Sequence, residues 1–444
     1  MAPRPILVTP QPSHSALVVG AGPAGLTAAH RLAQQGLSVT VLDEVRAPGG
    51  GMLHEPGIPS LLLGCHHATW NLLRSLHPVL DRGQYQEAAL EFHLPDGRLV
   101  RYPRSRFPNP LHIAITLGRF SGLPWTERWK LLSWLEAIWE GSTELARDLE
   151  SRTAHEWLTS IHQSEGAQRS IWNPLARWLT GNDLHQLSAD ALVGTIKPFL
   201  LQQPDDSRIV VPKETWQTLL IEPIRERLAR HRAAVIFDHP VVQILYDGDR
   251  VTGVRTGDRS VLHADWYVFA IPHHRLTPIL PERWLSRYAY FQQIVDLATE
   301  ACRFLHMTVR RAVPVPRLIL SSGKPFPWMH VRREGNEQRV FFSATDAQKH
   351  DEEIEQQAAE FLRSLGLVTN LREISATTTG EIPHAILSLT PGTKARRPIQ
   401  KSPIPNLLLA GAWTDTGWPA NLESAIVSGE RCAEIVTGKA SAAY

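Results

Sequence analysis

The chain has 444 residues, with 46 Lys plus Arg against 44 Asp plus Glu and a formal net charge of +2. That length exceeds what one simple core fills and suits two interleaved domains able to enclose a large cofactor. The charge balance excludes the concentrated basic field of a nucleic-acid binder. The leader MAPRPILVTPQPSH carries prolines where a signal peptide needs an unbroken apolar core, and no later run of about eighteen apolar residues is long enough to span a bilayer. Neither secretion by that route nor a transmembrane helix is expected. After the leader, ALVV at 16–19 reads as a strand ending at Gly20, residues 24–35 as a helix and LSVTVLD at 37–43 as a second strand. Residues 110–235 read as mostly helical and tryptophan-rich, and 233–272 as short strands broken by Asp-Gly and Gly-Asp turns. A mixed segment, 273–400, leads to a closing strand and helix at 406–436. The expected organisation is a cofactor domain assembled from 15–84, 206–272 and 401–440, with a substrate domain from 85–205 and 273–400.

Gly20, Gly22 and Gly25 fit G-x-G-x-x-G between the first strand and helix. The first glycine turns the chain, the second admits a pyrophosphate and the third lets helix and strand pack closely. The helix N-terminus then presents free N–H groups and a partial positive charge to the phosphates. Asp43 follows eighteen residues past Gly25, where a carboxylate accepts hydrogen bonds from adenosine ribose hydroxyls. A second glycine turn, Gly49–Gly51, is superfluous for NAD and suits the longer FAD.

These residues carry a resemblance. VVGAGPAGLTAAHRLAQQGLSVTVLDE…PGG is similar to the N-terminus of the FAD-dependent amine oxidase and carotenoid desaturase superfamily, and AGAWTDTGWPANLESAIVSG to the end of its hydroxysqualene dehydroxylases and phytoene desaturases. The segments LLLGCHHATWNLLRSL (61–76), NPLHIAITLGRFSGLPWTERWKLLSWL (109–135) and SIWNPLARWLTGNDLHQLSADAL (170–192) agree with it. The resemblance implies an α/β fold in which a Rossmann-like FAD-binding domain is interleaved with an α+β substrate domain carrying a helical, Trp-rich insertion. It implies that the closing helix, opened by Pro419, points its N-terminal amides (Ala420, Asn421, Leu422) at the flavin's pyrimidine edge, where charge builds on reduction. Motif and resemblance together assign to the cofactor Gly20, Ala21, Gly22, Pro23, Ala24, Gly25, Asp43, Glu44, Gly50, Gly51, Val241, Gly411, Ala412, Trp418, Pro419, Ala420 and Leu422.

Three positions depart from the family pattern. Gly51 and Met52 replace an arginine after the glycine pair, Ala412 replaces an acid that binds the ribityl chain, and PGIPS at 56–60 replaces a polar segment. Asp415 is placed either to supply the lost carboxylate or to brace the turn.

The implied activity is reduction of a C30 isoprenoid alcohol: an allylic hydroxyl leaves as water, and hydride from reduced flavin completes the product. Carotenoid desaturation runs hydride the other way, and a prenyl-lipid escort on the same fold performs no turnover. No second dinucleotide motif is present, so electrons come from outside, for example from NADPH. Candidates for the proton donor are His66, His67, His112 and Asp415. Adjacent histidines point apart, so His66–His67 and His273–His274 make poor chelates and no metal is expected. Trp125, Trp129, Trp134 and Trp139 fall four to five residues apart, near one helical face. They read either as helix core or, with Arg128 and Lys130, as a helix resting on the inner face of the cell membrane, where a lipophilic isoprenoid would enter. Cys65, Cys302 and Cys432 form no CxxC pair, and their odd number points to a reducing, cytoplasmic compartment. The sequence assigns no oligomeric state.

Overall fold

The computed structural model describes residues 14–51, 61–77, 84–140, 148–310, 315–323, 325–334, 337–344 and 350–438. Met52 and PGIPS at 56–60 lie outside the described residues. The elements that position the site are β1 (Ser15–Val19), α1 (Pro23–Gln34), β2 (Ser38–Leu42), α2 (His67–Leu76), β3 (Ala234–Ile236), β4 (Trp266–Phe269), β5 (Leu407–Leu409) and α3 (Leu422–Thr437).

Five of these strands form one parallel sheet in the order β5-β4-β1-β2-β3. Strands buried on both faces read as continuous apolar runs, and Ala16, Leu17, Val18 and Val19 are each 4% exposed or less. The first and last strands expected at 233–272 join this sheet as β3 and β4. The three between them, Val241–Asp247, Arg250–Thr256 and Val261–Leu262, form a separate antiparallel sheet. Helices α1 and α3 pack side by side over the parallel sheet. A Cβ on Gly429 of α3 would overlap the Ala24 carbonyl, so the backbone of α3 reaches that of α1 where α3 carries no side chain. Arg31 of α1 closes the contact with an ion pair to Glu430 of α3 at 2.5 Å.

A seven-stranded sheet runs in the order Ile374–Leu387, Thr299–Val309, Glu337–Ala344, Trp328–Glu334, Arg317–Ser321, Ala89–His93, Leu99–Arg101. One face packs on the helix Asp351–Ser364 through residues such as Met307, Met329 and Phe342. The opposite face, with Leu90, Phe92, Leu318 and Leu320, meets the helical region. His330 is fully buried in this sheet, stacked on Phe341 at 6.0 Å, and burial holds its imidazole down to about 3.

The helical region contains Leu111–Arg119, Trp125–Glu140, Ala154–Ser160, Asn173–Thr180 and Ala189–Ile196. Its tryptophans divide. Trp157 and Trp172 are core, each 4% exposed, and Trp134 turns inward against Trp157 with centroids 6.4 Å apart. Trp125 and Trp129 are each 64% exposed. The expected common face therefore splits at Trp134, because a five-residue step turns the helix past the four-residue spacing of Trp125 and Trp129. The side chain of Trp139 lies outside the described residues. Among the described residues no helix is long and apolar enough to cross a membrane.

Candidate functional site

The glycine loop leaves β1 at Gly20, whose φ of +107° and whose approach to Ala270 O, 2.5 Å from an added Cβ, both require glycine. A Cβ on Gly25 would overlap the Gly20 carbonyl oxygen, which is how the helix seats on the strand. Gly22 is different. It is extended backbone at the N-cap of α1, and its added Cβ would meet nothing nearer than Gly50 Cα at 4.0 Å. The second glycine turn docks opposite it, with Gly49 N–H donating to Ala21 O at 2.8 Å and Gly50 at φ +54°. The two turns leave bare backbone facing open space at a helix N-terminus, which fits a pyrophosphate.

Asp43 ties these parts together. Its Oδ2 accepts from Ala21 N–H at 2.5 Å and its Oδ1 from Val45 N–H at 3.0 Å. Its backbone joins β3 and the following turn through Ile236 O and His239 N–H, two residues before Val241. The carboxylate therefore braces the glycine loop, and each oxygen has a second lone pair for a ribose hydroxyl. Glu44 turns outward to Arg275 at 3.3 Å, and Gly51 is exposed.

The C-terminal turn begins at Gly411, with φ +140° and its N–H on Ser428 Oγ at 2.9 Å. Pro419 does not open the closing helix. Asn421 is the N-cap, its side chain accepting from Ser424 N–H at 2.9 Å, and the helix starts at Leu422. A side-chain cap satisfies an amide that proline placed earlier cannot, so Asn421 sets the boundary. Its own N–H donates to Pro419 O at 2.8 Å, which removes Asn421 from the expected set of donors and leaves Leu422 in it. Asp415 braces the turn, its Oδ1 accepting from Gly417 N–H at 3.2 Å.

His66 and His67 do point apart. His66 is buried; Leu63 N–H donates to its Nδ1 at 3.4 Å, and its ring meets Trp418 edge-on at 5.6 Å. Burial lowers it to about 3, so it is a neutral imidazole. His67 pairs with buried Asp206 at 2.7 Å, and that hydrogen bond raises it above the ordinary imidazole value. His112 lies elsewhere, on an apolar pocket lined by residues such as Leu90, Phe92, Phe120, Ile171 and Phe199. Its Nε2 meets Leu200 O at 3.3 Å, and its Nδ1 is buried with no partner among the described residues. Burial lowers it, against the pull of the Leu200 carbonyl and the Asp206 carboxylate. Among the described residues no group of three His, Cys, Asp or Glu side chains could hold a metal ion.

Three supporting residues escape sequence reading. Arg397 is 9% exposed and donates to the carbonyls of Ala412, Trp413, Thr414 and Trp418. Glu423 is 2% exposed and accepts from Ala68 N–H, Thr69 N–H and Thr69 Oγ at 2.8, 2.9 and 2.6 Å, which seats a carboxylate on the N-terminus of α2. Asp206 is the third. Only Glu423 has a local signal, as an acid just inside a helix start.

A family model described as flavin containing amine oxidoreductase matches residues 23–437. The chain belongs to this family. As a flavin-containing amine oxidoreductase it is an FAD-dependent oxidoreductase. Among curated proteins it is 25% identical over 460 residues to 15-cis-phytoene desaturase of Synechococcus elongatus, covering 95% of each chain. It is 26% identical over 441 residues to hydroxysqualene dehydroxylase of Rhodopseudomonas palustris, covering 94% of this chain and 97% of that one. An oxidoreductase from Methanosarcina mazei shares the fold at a TM-score of 0.71 and 13% identity, with 95% of this chain and 100% of that chain covered. Cyclohexylamine oxidase from Brevibacterium oxydans shares it at 0.67 and 18%, with 96% and 99% covered.

Proposed function

We propose that this flavoenzyme acts on a long isoprenoid alcohol and that its reaction is the reductive dehydroxylation of hydroxysqualene to squalene. The observation that carries the reading is the apolar lining of the pocket with His112 as a polar group on its wall. A branched hydrocarbon fills such a lining through burial alone. A lone hydroxyl needs one polar partner there, and the buried His112 Nδ1 has none among the described residues. A carotenoid hydrocarbon has no use for it.

FAD would be held by the glycine turns at 20–25 and 49–51, by Asp43 and Val241, and by the 411–422 turn, so that the cofactor domain takes 15–84, 206–272 and 401–440 and the substrate domain 85–205 and 273–400. Bound FAD supplies hydride chemistry. The chain's part is to exclude water and to move a proton. The His67–Asp206 pair suits a proton reservoir for the site, because the carboxylate keeps the imidazolium available toward neutral pH. His66, held neutral, suits orientation of the flavin edge beside Trp418. Trp125, Trp129 and Lys130 form an exposed patch on a helix whose Leu131 lines the pocket, which supports attachment to the inner face of the cell membrane.

The test is anaerobic incubation of the reduced protein with hydroxysqualene, and of the oxidised protein with phytoene, with products read by mass. Squalene from the first and no change in the second is expected. Desaturated phytoene would establish the carotenoid reaction instead. A colourless protein that binds both and converts neither would be an escort.

A further inference from the structure

We propose that Arg397 is the fixed positive charge of the flavin site, acting from beneath the 411–422 turn to favour the reduced, electron-rich cofactor. The inference rests on the reading of that turn as the one facing the flavin's pyrimidine edge.

The guanidinium is surrounded by neutral acceptors. Its Nε donates to Trp413 O at 3.2 Å, Nη1 to Trp418 O at 2.7 Å, and Nη2 to Ala412 O and Thr414 O at 2.9 and 2.6 Å. Among the described residues it has no carboxylate within ion-pair distance, and Asp415, whose side chain holds Gly417 N–H, acts on it only at longer range. Burial pushes its pKa down only to about 10, so the charge persists at neutral pH. Four carbonyls bound to one cation fix the turn, and the cation keeps its field because none of the four cancels a unit charge.

Two neighbours reinforce that field. Ala412 stands directly on the guanidinium and brings no acid to it, and the N-terminus of α3 at Asn421–Leu422 adds a partial positive charge of the same sign. Charge that develops on a reduced ring beside this turn would meet a preorganised cation and a helix end, the carboxylate of Glu423 in the first turn of α3 being turned onto Ala68 and Thr69 of α2. The same turn with an acid at position 412 would be close to neutral.

The test uses the FAD-loaded full chain and compares Arg397→Gln, Arg397→Lys and Ala412→Asp with the parent, reading the two-electron midpoint potential by dye equilibration together with the FAD Kd. Ala412→Asp is the decisive variant because every Arg397 contact is to a backbone carbonyl and survives it. Both Ala412→Asp and Arg397→Gln are expected to shift the reduced-to-oxidised ratio at least tenfold toward oxidised flavin, about 30 mV lower for a two-electron couple. Arg397→Lys, which keeps the charge and loses the four-carbonyl grip, should shift it less than Gln. A role confined to bracing the turn would lower stability and FAD retention in both Arg397 variants and leave the potential of Ala412→Asp unmoved, which overturns the proposal. If Arg397→Gln does not fold, Ala412→Asp decides alone. Should Ala412→Asp alter neither potential, Kd nor the flavin spectrum, the turn does not face the flavin and the underlying reading fails. An altered Kd with an unmoved potential rejects only the charge role.

Discussion

Gly22 and Gly25 stand three residues apart in one motif, yet the structure separates their roles. Valine at Gly22 keeps an extended backbone that any residue adopts, and its Cβ meets nothing of the protein nearer than 4.0 Å. The fold should lose no more than about 0.5 kcal/mol. The same Cβ would occupy the space that the proposed site leaves for the pyrophosphate at the α1 amides. Losing two charge-assisted hydrogen bonds at roughly 1.5–3 kcal/mol each weakens FAD by about 10²- to 10⁴-fold. Alanine at Gly25 behaves in the opposite way. Its Cβ would overlap the Gly20 carbonyl oxygen and lie 3.0 Å from the carbonyl carbon and 3.1 Å from Ala270 Cβ, so helix and strand must separate, at a cost of about 1–3 kcal/mol or more. The assay is flavin absorbance per protein after desalting, paired with melting curves of the apo forms. Gly22→Val should be colourless with a parental melt, and Gly25→Ala should melt lower even without FAD. Stoichiometric flavin in Gly22→Val, or equal melting losses in the two, would refute the division of roles.

Glu423→Gln should lower the melting temperature, since an amide cannot accept from Ala68 and Thr69 on both sides and the lost charge-assisted bond is worth about 1.5–3 kcal/mol; a parental melt would show that α2 needs no carboxylate cap. Replacing Trp125 and Trp129 by Ser and Lys130 by Gln should release the protein from anionic vesicles in co-sedimentation while the melt stays nearly parental, and unchanged sedimentation would end the membrane proposal. Arg128 is left in place because it binds Leu123 O and Gly118 O at 2.7 and 2.9 Å and so holds the loop. His330, ordinarily near 6.5, is depressed to about 3 when folded, so its contribution is complete above the unfolded value and declines as pH falls through it. Between pH 7 and 5 that loss is about 2 kcal/mol, and His330→Leu should show an acid sensitivity smaller by that amount in urea titrations at the two pH values.

What the sequence reveals here is what short-range geometry encodes. Gly20, Gly22, Gly25 and Asp43 are legible because a strand, a turn and a helix with fixed spacing leave a local mark. The five strands between 234 and 269 are legible through their turns. Arg397 is not, because its four acceptors are carbonyls, which every residue carries. Asp206 is invisible for a related reason: its partner His67 lies 139 positions away. The helix start was legible in principle, since Asn421 is a better cap than any residue near it, but a proline nearby is the louder signal. The tryptophan helix was ambiguous because spacing alone cannot say which side of Trp134 meets Trp157.

The parallel sheet has a consequence for how the protein is made. β1 is its central strand, but β4 and β5 on one side are encoded some 250 and 390 residues later, and α3, which must lie on Gly25's helix, later still. At roughly 5–20 residues per second a ribosome needs about 20–80 seconds to travel from β1 to β5. For roughly the first two thirds of that interval the buried edge of β1 has no β4 to pair with, and until its end the sheet lacks β5. The nascent chain therefore carries an unpaired, apolar strand edge until β4 emerges. An interruption of synthesis before Trp266 yields a product missing β4 and β5, the whole of one side of its sheet.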